Sequence, residues 1–212
     1  CMNSTLEFFF QNYDNLPPKL ATELYQLRCR TFQERLDWKV ECTGGIEKDE
    51  FDNKNTTYLL GMHDGHLICG ARFIDSKQPT MISEIFNTYF NDISLPTDIP
   101  CCEISRLFLD KKIRNAENLH NLPISKALFL AMIIYCMKKK YRGMYAVASR
   151  GMYAIFRHAN WKIEVIQKGL SEKGDAIYYI FMPASVNIIE DIISKDKNSD
   201  WLREMMQYLR CL

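Results

Sequence analysis

Residues 102–109 read CEISRLFL, residues 123–140 read PISKALFLAMIIYCMKKK and residues 144–149 read MYAVAS. The first and third segments are short and mostly apolar, which predicts strands Cys102–Leu109 and Met144–Ser149. The middle segment opens on Pro123, a residue suited to the first turn of a helix. It closes on Lys138-Lys139-Lys140, cations that complement a helix C-terminus. A helix over Pro123–Lys140 follows, with Gly143 as its stop. Strand, helix and strand in succession permit a parallel crossover within one sheet.

Upstream, Leu6–Phe10 reads as a strand, and Pro17-Pro18 opens a helix whose apolar stripe Leu20, Leu24, Leu27, Thr31 runs to about Arg35. Asp37–Asn55 is polar, contains Gly44-Gly45 and reads as a long loop, a length that often carries function. Thr56–Met62 and His66–Ile74 form a hairpin around His63-Asp64-Gly65, since Asp-Gly is a strong hairpin turn. Ile82–Phe90 fits either a strand or a short helix. Downstream, a helix is expected at Arg150–His158 and strands at Trp161–Gln167 and Ala176–Met182. Two terminal helices are expected at Val186–Ser194 and Trp201–Leu209. This order predicts an α/β fold: one domain over residues 2–212, a mixed twisted sheet with helices on both faces. Residues 184–212 read as a helical C-terminal extension.

The chain has 212 residues, 27 Lys+Arg against 26 Asp+Glu, and 47% hydrophobic residues. That much apolar surface excludes a disordered chain, and the near-zero charge speaks against a general nucleic-acid binder. The longest apolar run, Ala127–Met137, is about half of what a membrane span needs, and no secretion signal is legible near the start. No nucleic-acid or membrane partner is therefore expected. Cys29, Cys42, Cys69, Cys101, Cys102, Cys136 and Cys211 show no disulfide-framework spacing, so free thiols and a reducing cytoplasm are expected. His63, His66, His120 and His158 lack metal-ligand spacing, so no metal is expected.

Chemistry is concentrated elsewhere. Arg28, Phe32 and Arg35 fall on one helical face apart from the leucine stripe. Asp49 and Asp52 sit in the long loop. Arg72 interrupts an apolar strand, as do Glu103 and Arg106. A charge inside such a strand is paired or faces a site, because burying it alone is costly. Taken singly, the two aspartates read as solvated loop charges, and Arg72 with Glu103 as a structural ion pair.

Taken together, Arg28-x3-Phe32-x5-Trp38-x10-Asp49-x2-Asp52, then Arg72, then Glu103-Ile104-Ser105-Arg106 resembles the signature of the acyl-homoserine lactone synthases, bacterial makers of quorum-sensing autoinducers. Arg35-Leu36-Asp37-Trp38, Glu50-Phe51-Asp52 and Pro123-Ile124-Ser125 are similar to that family as well. The resemblance spans about Leu6 to Pro183. It implies the fold of the GCN5-related N-acetyltransferases and an acyltransferase that uses S-adenosylmethionine as substrate, needs no cofactor and takes its acyl group from an acyl-acyl-carrier protein. Amide formation and lactonisation would release methylthioadenosine.

By resemblance, Glu103 and Arg106 are catalytic, with Glu103 the candidate base, directly or through water. Arg28, Phe32, Trp38, Asp49, Asp52 and Arg72 would bind S-adenosylmethionine, the aspartates meeting its ammonium or ordering the loop. Ile104, Met132, Ala146, Ala148, Met152 and Met182 would line the acyl chain. An acidic carrier calls for a basic patch, for which the candidates are Lys138, Lys139, Lys140 and Arg142, or Lys111, Lys112 and Arg114. The alternative is an acyl-CoA N-acyltransferase of the same fold acting on a small amine. Such enzymes hold the CoA pyrophosphate on a glycine-rich turn at a helix N-terminus, and Leu109–Pro123 contains no glycine. A binding module that only senses a small amphiphile leaves the clustered charges of both signs unexplained.

Overall fold

The computed structural model describes residues 6–33, 40–112, 119 and 121–212. Seven strands form one sheet in the order β1-β2-β3-β4-β5-β7-β6. They are β1 (Leu6–Asn12), β2 (Thr56–His63), β3 (His66–Asp75), β4 (Cys102–Leu109), β5 (Gly143–Ser149), β6 (Glu164–Leu170) and β7 (Ala176–Pro183). All neighbours are antiparallel except β4 and β5, the pair joined by the crossover helix. The helices are α1 (Pro18–Gln33), α2 (Met81–Glu84), α3 (Ile124–Lys138), α4 (Arg150–His158), α5 (Val186–Ile193) and α6 (Ser199–Arg210).

Alternation along the strands splits the core into layers. Leu59 of β2 faces α3, whereas Tyr58 and Leu60 face α1 and its leucines Leu24 and Leu27. The α3 helix is apolar all round and is covered on one side by the sheet and on the other by α5 and α6, as a helix without a polar face requires. Over the other face of β5 and β7, Phe90, Ile93 and Leu95 from the connection after α2 pack on Tyr145 and Tyr179. Among the described residues no helix is long and apolar enough to cross a membrane.

The structure settles one open sequence reading and corrects three expectations. The ambiguous segment Ile82–Phe90 is helical: a one-turn α2 closed by a Thr80–Ser83 capping box, then a 3-10 turn at Phe86–Thr88. The stop of α3 is Lys140, at φ 61°, with the Tyr141 amide donating to the Cys136 carbonyl. Gly143 instead begins β5. The strand expected at Trp161–Gln167 starts three residues later, because Asn160 turns at φ 63° and Trp161 tucks into the core with its Nε1 donating to the Pro183 carbonyl at 2.9 Å. Finally, Cys29 of α1 and Cys42 in the loop after it are joined by a disulfide, their Cα atoms 5.8 Å apart. A return of the loop onto α1 creates that proximity, and sequence spacing does not show it. Cys69, Cys101, Cys102, Cys136 and Cys211 are free.

Gly143 has a packing reason of its own: a Cβ there would strike the Met182 carbonyl oxygen and the Phe181 ring across the β5–β7 pair. Gly143→Ala is expected to cost roughly 1–3 kcal/mol as an overpacking change, at about 2–4 °C of Tm per kcal/mol for a chain of this size. An unaltered melting curve would show that the two strands separate freely there.

Candidate active site

β4 and β5 pair only at Cys102↔Met144 and Glu103↔Tyr145. Beyond those residues the parallel strands part, and a cavity of about 710 Å³ is lined by Glu103–Leu107 on one side and Ala146–Ser149 on the other. β4 also carries a bulge. Gly70 of β3 pairs with Phe108 and Arg72 with Ser105, which leaves Ala71 opposite both Arg106 and Leu107. Arg106 takes φ 52°, a left-handed backbone that costs a non-glycine residue roughly 1–2 kcal/mol.

A bulge re-aims a side chain, and here it turns the Arg106 guanidinium toward the loop between α1 and β2. Arg106 Nε donates to Glu47 Oε1 at 2.7 Å and Nη2 to Asp49 Oδ2 at 2.9 Å, with the guanidinium 5.7 Å from the centre of the Phe32 ring. Arg28 donates through Nε and Nη2 to Glu47 at 3.0 and 2.8 Å, and through Nη1 and Nη2 to Asp52 at 2.7 and 2.9 Å. Arg72 reaches Asp49 Oδ1 at 2.6 Å, Asp52 Oδ2 at 3.2 Å and Ser105 Oγ at 3.0 Å.

Three guanidiniums thus interlock with three carboxylates; Arg28, Arg72, Glu47 and Asp52 are buried, whereas Asp49 and Arg106 keep 23% and 16% of their side chains exposed. Burial pushes the Asp52 carboxyl upward, but hydrogen bonding and attraction from Arg28, and attraction from Arg72, outweigh it and hold it well below the usual range. Tyr58 completes its shell, donating to Asp52 Oδ1 at 2.7 Å while sharing a hydrogen bond with Tyr25. The oxygens of Glu47, Asp49 and Asp52 lie within 4.8 Å of one another, yet guanidiniums occupy that cluster.

Glu103 stands apart from this network. Its carboxylate accepts the Met81 and Ile82 amides of α2 at 3.1 and 2.7 Å. Burial pushes its pKa up to about 7, against the pull of those amides and of Arg72. A carboxyl in that range exchanges a proton near neutrality.

The structure brings Arg28, Phe32, Asp49, Asp52, Arg72, Glu103 and Arg106 together around one end of the cavity. The reading of Asp49 and Asp52 as solvated charges fails, as does an Arg72–Glu103 ion pair: the arginine binds the aspartates and the glutamate binds amides. Asp52 is fully engaged by its neighbours, so it orders the loop. Trp38, Arg35 and Arg114 lie outside the described residues. Ile104, Ala146, Ala148, Met152 and Met182 line the cavity, but Met132 does not; it is fully buried in the core. Lys138–Lys140 and Arg142 precede β5, whose first cavity-lining residue is Ala146, roughly 10 Å of strand beyond Gly143. Lys111 and Lys112 follow β4 at the end where the strands have parted.

Sequence reasoning missed Glu47, which bridges Arg28 to Arg106, as well as Tyr58 and Phe156. Glu47 stands two residues before Asp49 in a loop that also holds Glu41 and Glu50, so only its two arginine partners distinguish it.

Removing one member of a buried ion cluster leaves charge uncompensated, at a cost of about 3–5 kcal/mol. Asp52→Asn is therefore expected to lower unfolding free energy by about that amount at pH 7. Because the folded pKa of Asp52 is depressed, its contribution is present above its unfolded value of 3.8 and is lost as pH falls through the folded one. Denaturant unfolding from neutral to acid pH should show the gap between wild type and variant closing below about pH 4, and a gap independent of pH contradicts the assignment.

Residues 13–192 match the family model described as autoinducer synthase. An acyl-homoserine-lactone synthase of Serratia liquefaciens is 48% identical over 179 residues, covering 84% of this chain and 89% of that protein. The crystal structure of the AHL synthase LasI shares the fold with a TM-score of 0.79 at 17% identity, over 90% of this chain and 96% of that one. A CoA-dependent acyl-homoserine lactone synthase, BjaI, solved with SAM and isopentyl-CoA, aligns with a TM-score of 0.74 at 18% identity, over 96% and 90% of the two chains. Matched over most of its length by the family model and by a relative at 48% identity, with its charged residues gathered at a single cleft, the chain belongs to the autoinducer synthases, the acyl-homoserine-lactone synthase family of acyltransferases.

Proposed function

We propose that this chain makes an acyl-homoserine lactone from S-adenosylmethionine and an acyl-acyl-carrier protein. The observation that carries the reading is Glu103, a buried carboxyl with a pKa of about 7 that lines the same cavity as Asp49 and Arg106. S-Adenosylmethionine is cationic at its sulfonium and carries an ammonium and a carboxylate. Ionised Glu103 added to the three guanidiniums and the three carboxylates of the loop leaves one negative charge in excess, which suits a sulfonium.

The amine must lose a proton before it can attack, and Glu103 takes it, directly or through a water. The amine nitrogen then bonds to the thioester carbonyl carbon, the C–S bond breaks and the carrier thiol leaves. In the second step the methionine carboxylate oxygen bonds to the methylene carbon next to sulfur. The C–S⁺ bond breaks and neutral methylthioadenosine departs. The sulfonium needs no acid to leave, so this step asks only for alignment. Arg106 and Asp49, fixed by Glu47 and Arg72, border the space in which the methionine portion would be aligned.

A carrier-borne donor agrees with the absence of glycine between Leu109 and Pro123, since a phosphopantetheine arm without adenosine diphosphate needs no pyrophosphate turn. Lys111 and Lys112 are exposed just beyond β4, where an acidic carrier would approach the cleft.

Glu103→Gln keeps the volume and removes the base, so turnover is expected to fall about 10²–10⁴-fold. Wild-type kcat should rise with pH and level off above about 7, as the carboxyl ionises, and that limb should be missing from the residual activity of the variant. Near-normal turnover at saturation removes Glu103 from the mechanism. For the donor, the KM for acyl-carrier protein should rise with salt, because the Debye length is only about 8 Å at physiological ionic strength. Reversing Lys111 and Lys112 to Glu should raise it at low salt, and equal use of acyl-CoA would contradict a carrier-borne donor.

A further inference from the structure

The α2 helix is a single turn, Met81–Glu84. A turn that short fixes several backbone torsions for one hydrogen bond and does not hold itself together. Yet two of its amides are the donors to Glu103. We propose that Thr80, which does not line the cavity, is a positioning residue for the reaction: its hydroxyl fixes the turn that aims those amides at the carboxylate. The inference rests on the lactone-synthase reading above and deepens it by naming what holds the base in working order.

The first four amides of a helix have no partner within it, and here all four are accounted for. Thr80 donates to Ser83 Oγ at 3.0 Å, and Ser83 returns its own amide to Thr80 Oγ1 at 3.1 Å. The two amides between them, Met81 and Ile82, donate to Glu103 at 3.1 and 2.7 Å. The Glu84 amide then makes the first bond inside the turn, to the Thr80 carbonyl at 3.0 Å. Cap and carboxylate therefore share one set of donors, and moving the first disturbs the second.

Thr80 is fully buried, so its hydroxyl must be satisfied inside the fold. Met81 packs with Phe51 and Ile74, and Ile82 with Phe90 and Ile93. Such apolar burial keeps the turn in place but is non-directional, whereas an amide must point at its acceptor. The cap supplies the direction. Other groups also act on Glu103. Arg72 on β3 pulls its carboxyl down, and Tyr179 on β7, raised by burial, stays neutral near pH 7. Asp49 and Arg106 line the same cavity. Thr80→Val keeps all of these and removes one hydroxyl, which itself adds to the downward pull on Glu103. Hydrogen bonds to a carboxylate favour its ionised form, so losing them raises the pKa of Glu103 from about 7.

The test is the pH dependence of kcat with saturating S-adenosylmethionine and acyl-carrier protein in wild type, Thr80→Val, Thr80→Ser and Ser83→Ala. Carbon-13 NMR of glutamate-labelled protein without substrates follows Glu103 directly, its signal assigned by loss in Glu103→Gln. Losing the cap hydroxyl should move the Thr80→Val limb and titration upward by roughly 0.5–1 pH unit. Below the limb that is a loss of about 3- to 10-fold in kcat, recovered by about pH 9. Thr80→Ser keeps the hydroxyl and should restore the wild-type limb. Ser83→Ala breaks the reciprocal bond from the Thr80 amide and should give a smaller shift in the same direction. Melting curves are recorded for each, and Ser83→Ala carries the test if Thr80→Val does not fold. A folded variant with unmoved limb and titration, or a loss of kcat equal at every pH, overturns the proposal. If the wild type makes no lactone, the proposed function falls, whereas the NMR titration still decides whether Thr80 sets the proton affinity of Glu103.

Discussion

Arg28 is the constraint on which the site depends. It lies on α1, is almost inaccessible to water, and holds Glu47 and Asp52 from a loop that has little regular structure of its own. A guanidinium buried alone would be prohibitively costly, and so would either carboxylate. The three groups can enter the interior only together, and in doing so they fix where the loop runs. Because Glu47 and Asp49 then meet Arg106, and Asp49 and Asp52 meet Arg72, the loop is tied to β3 and β4 as well. The Cys29–Cys42 disulfide closes the same loop onto the same helix.

The sheet supplies the complementary half of the design. The parallel β4–β5 pair begins at Cys102↔Met144 and opens after Glu103↔Tyr145. Its opening exposes the inner face of β4 just where the bulge reverses the local backbone and sends Arg106 toward the loop. Glu103 sits at the last paired position before the gap, buried but next to open space. Desolvation and access to substrate are thereby combined on one carboxyl, with the α2 amides keeping it in one orientation.

Chain pattern and site chemistry differ in how they can be read. Hydrophobic periodicity located β4, α3 and α4 to within two residues, because burial on one face is a local property repeated at every turn or pleat. The boundary of β6 and the terminator of α3 were misjudged, since both depend on left-handed residues, Asn160 and Lys140, which hydrophobic periodicity does not mark. At the site, charged residues inside apolar strands marked Arg72, Glu103 and Arg106 without further help. Glu47 gave no such signal, being one glutamate among several in a polar loop.

The sequence by itself determined the alternation of strands and helices, the crossover that sets β4 parallel to β5, and the family pattern of charges from Arg28 to Arg106. Those features follow from local propensity and from the identity of residues at fixed spacings. Only the tertiary structure decided which charge meets which. It paired Arg72 with the aspartates instead of Glu103, made Glu47 a bridge and left Met132 in the core. The physical reason is that the energy of a buried charge or ring depends on what surrounds it in three dimensions, and those surroundings are contributed by segments that are remote along the chain.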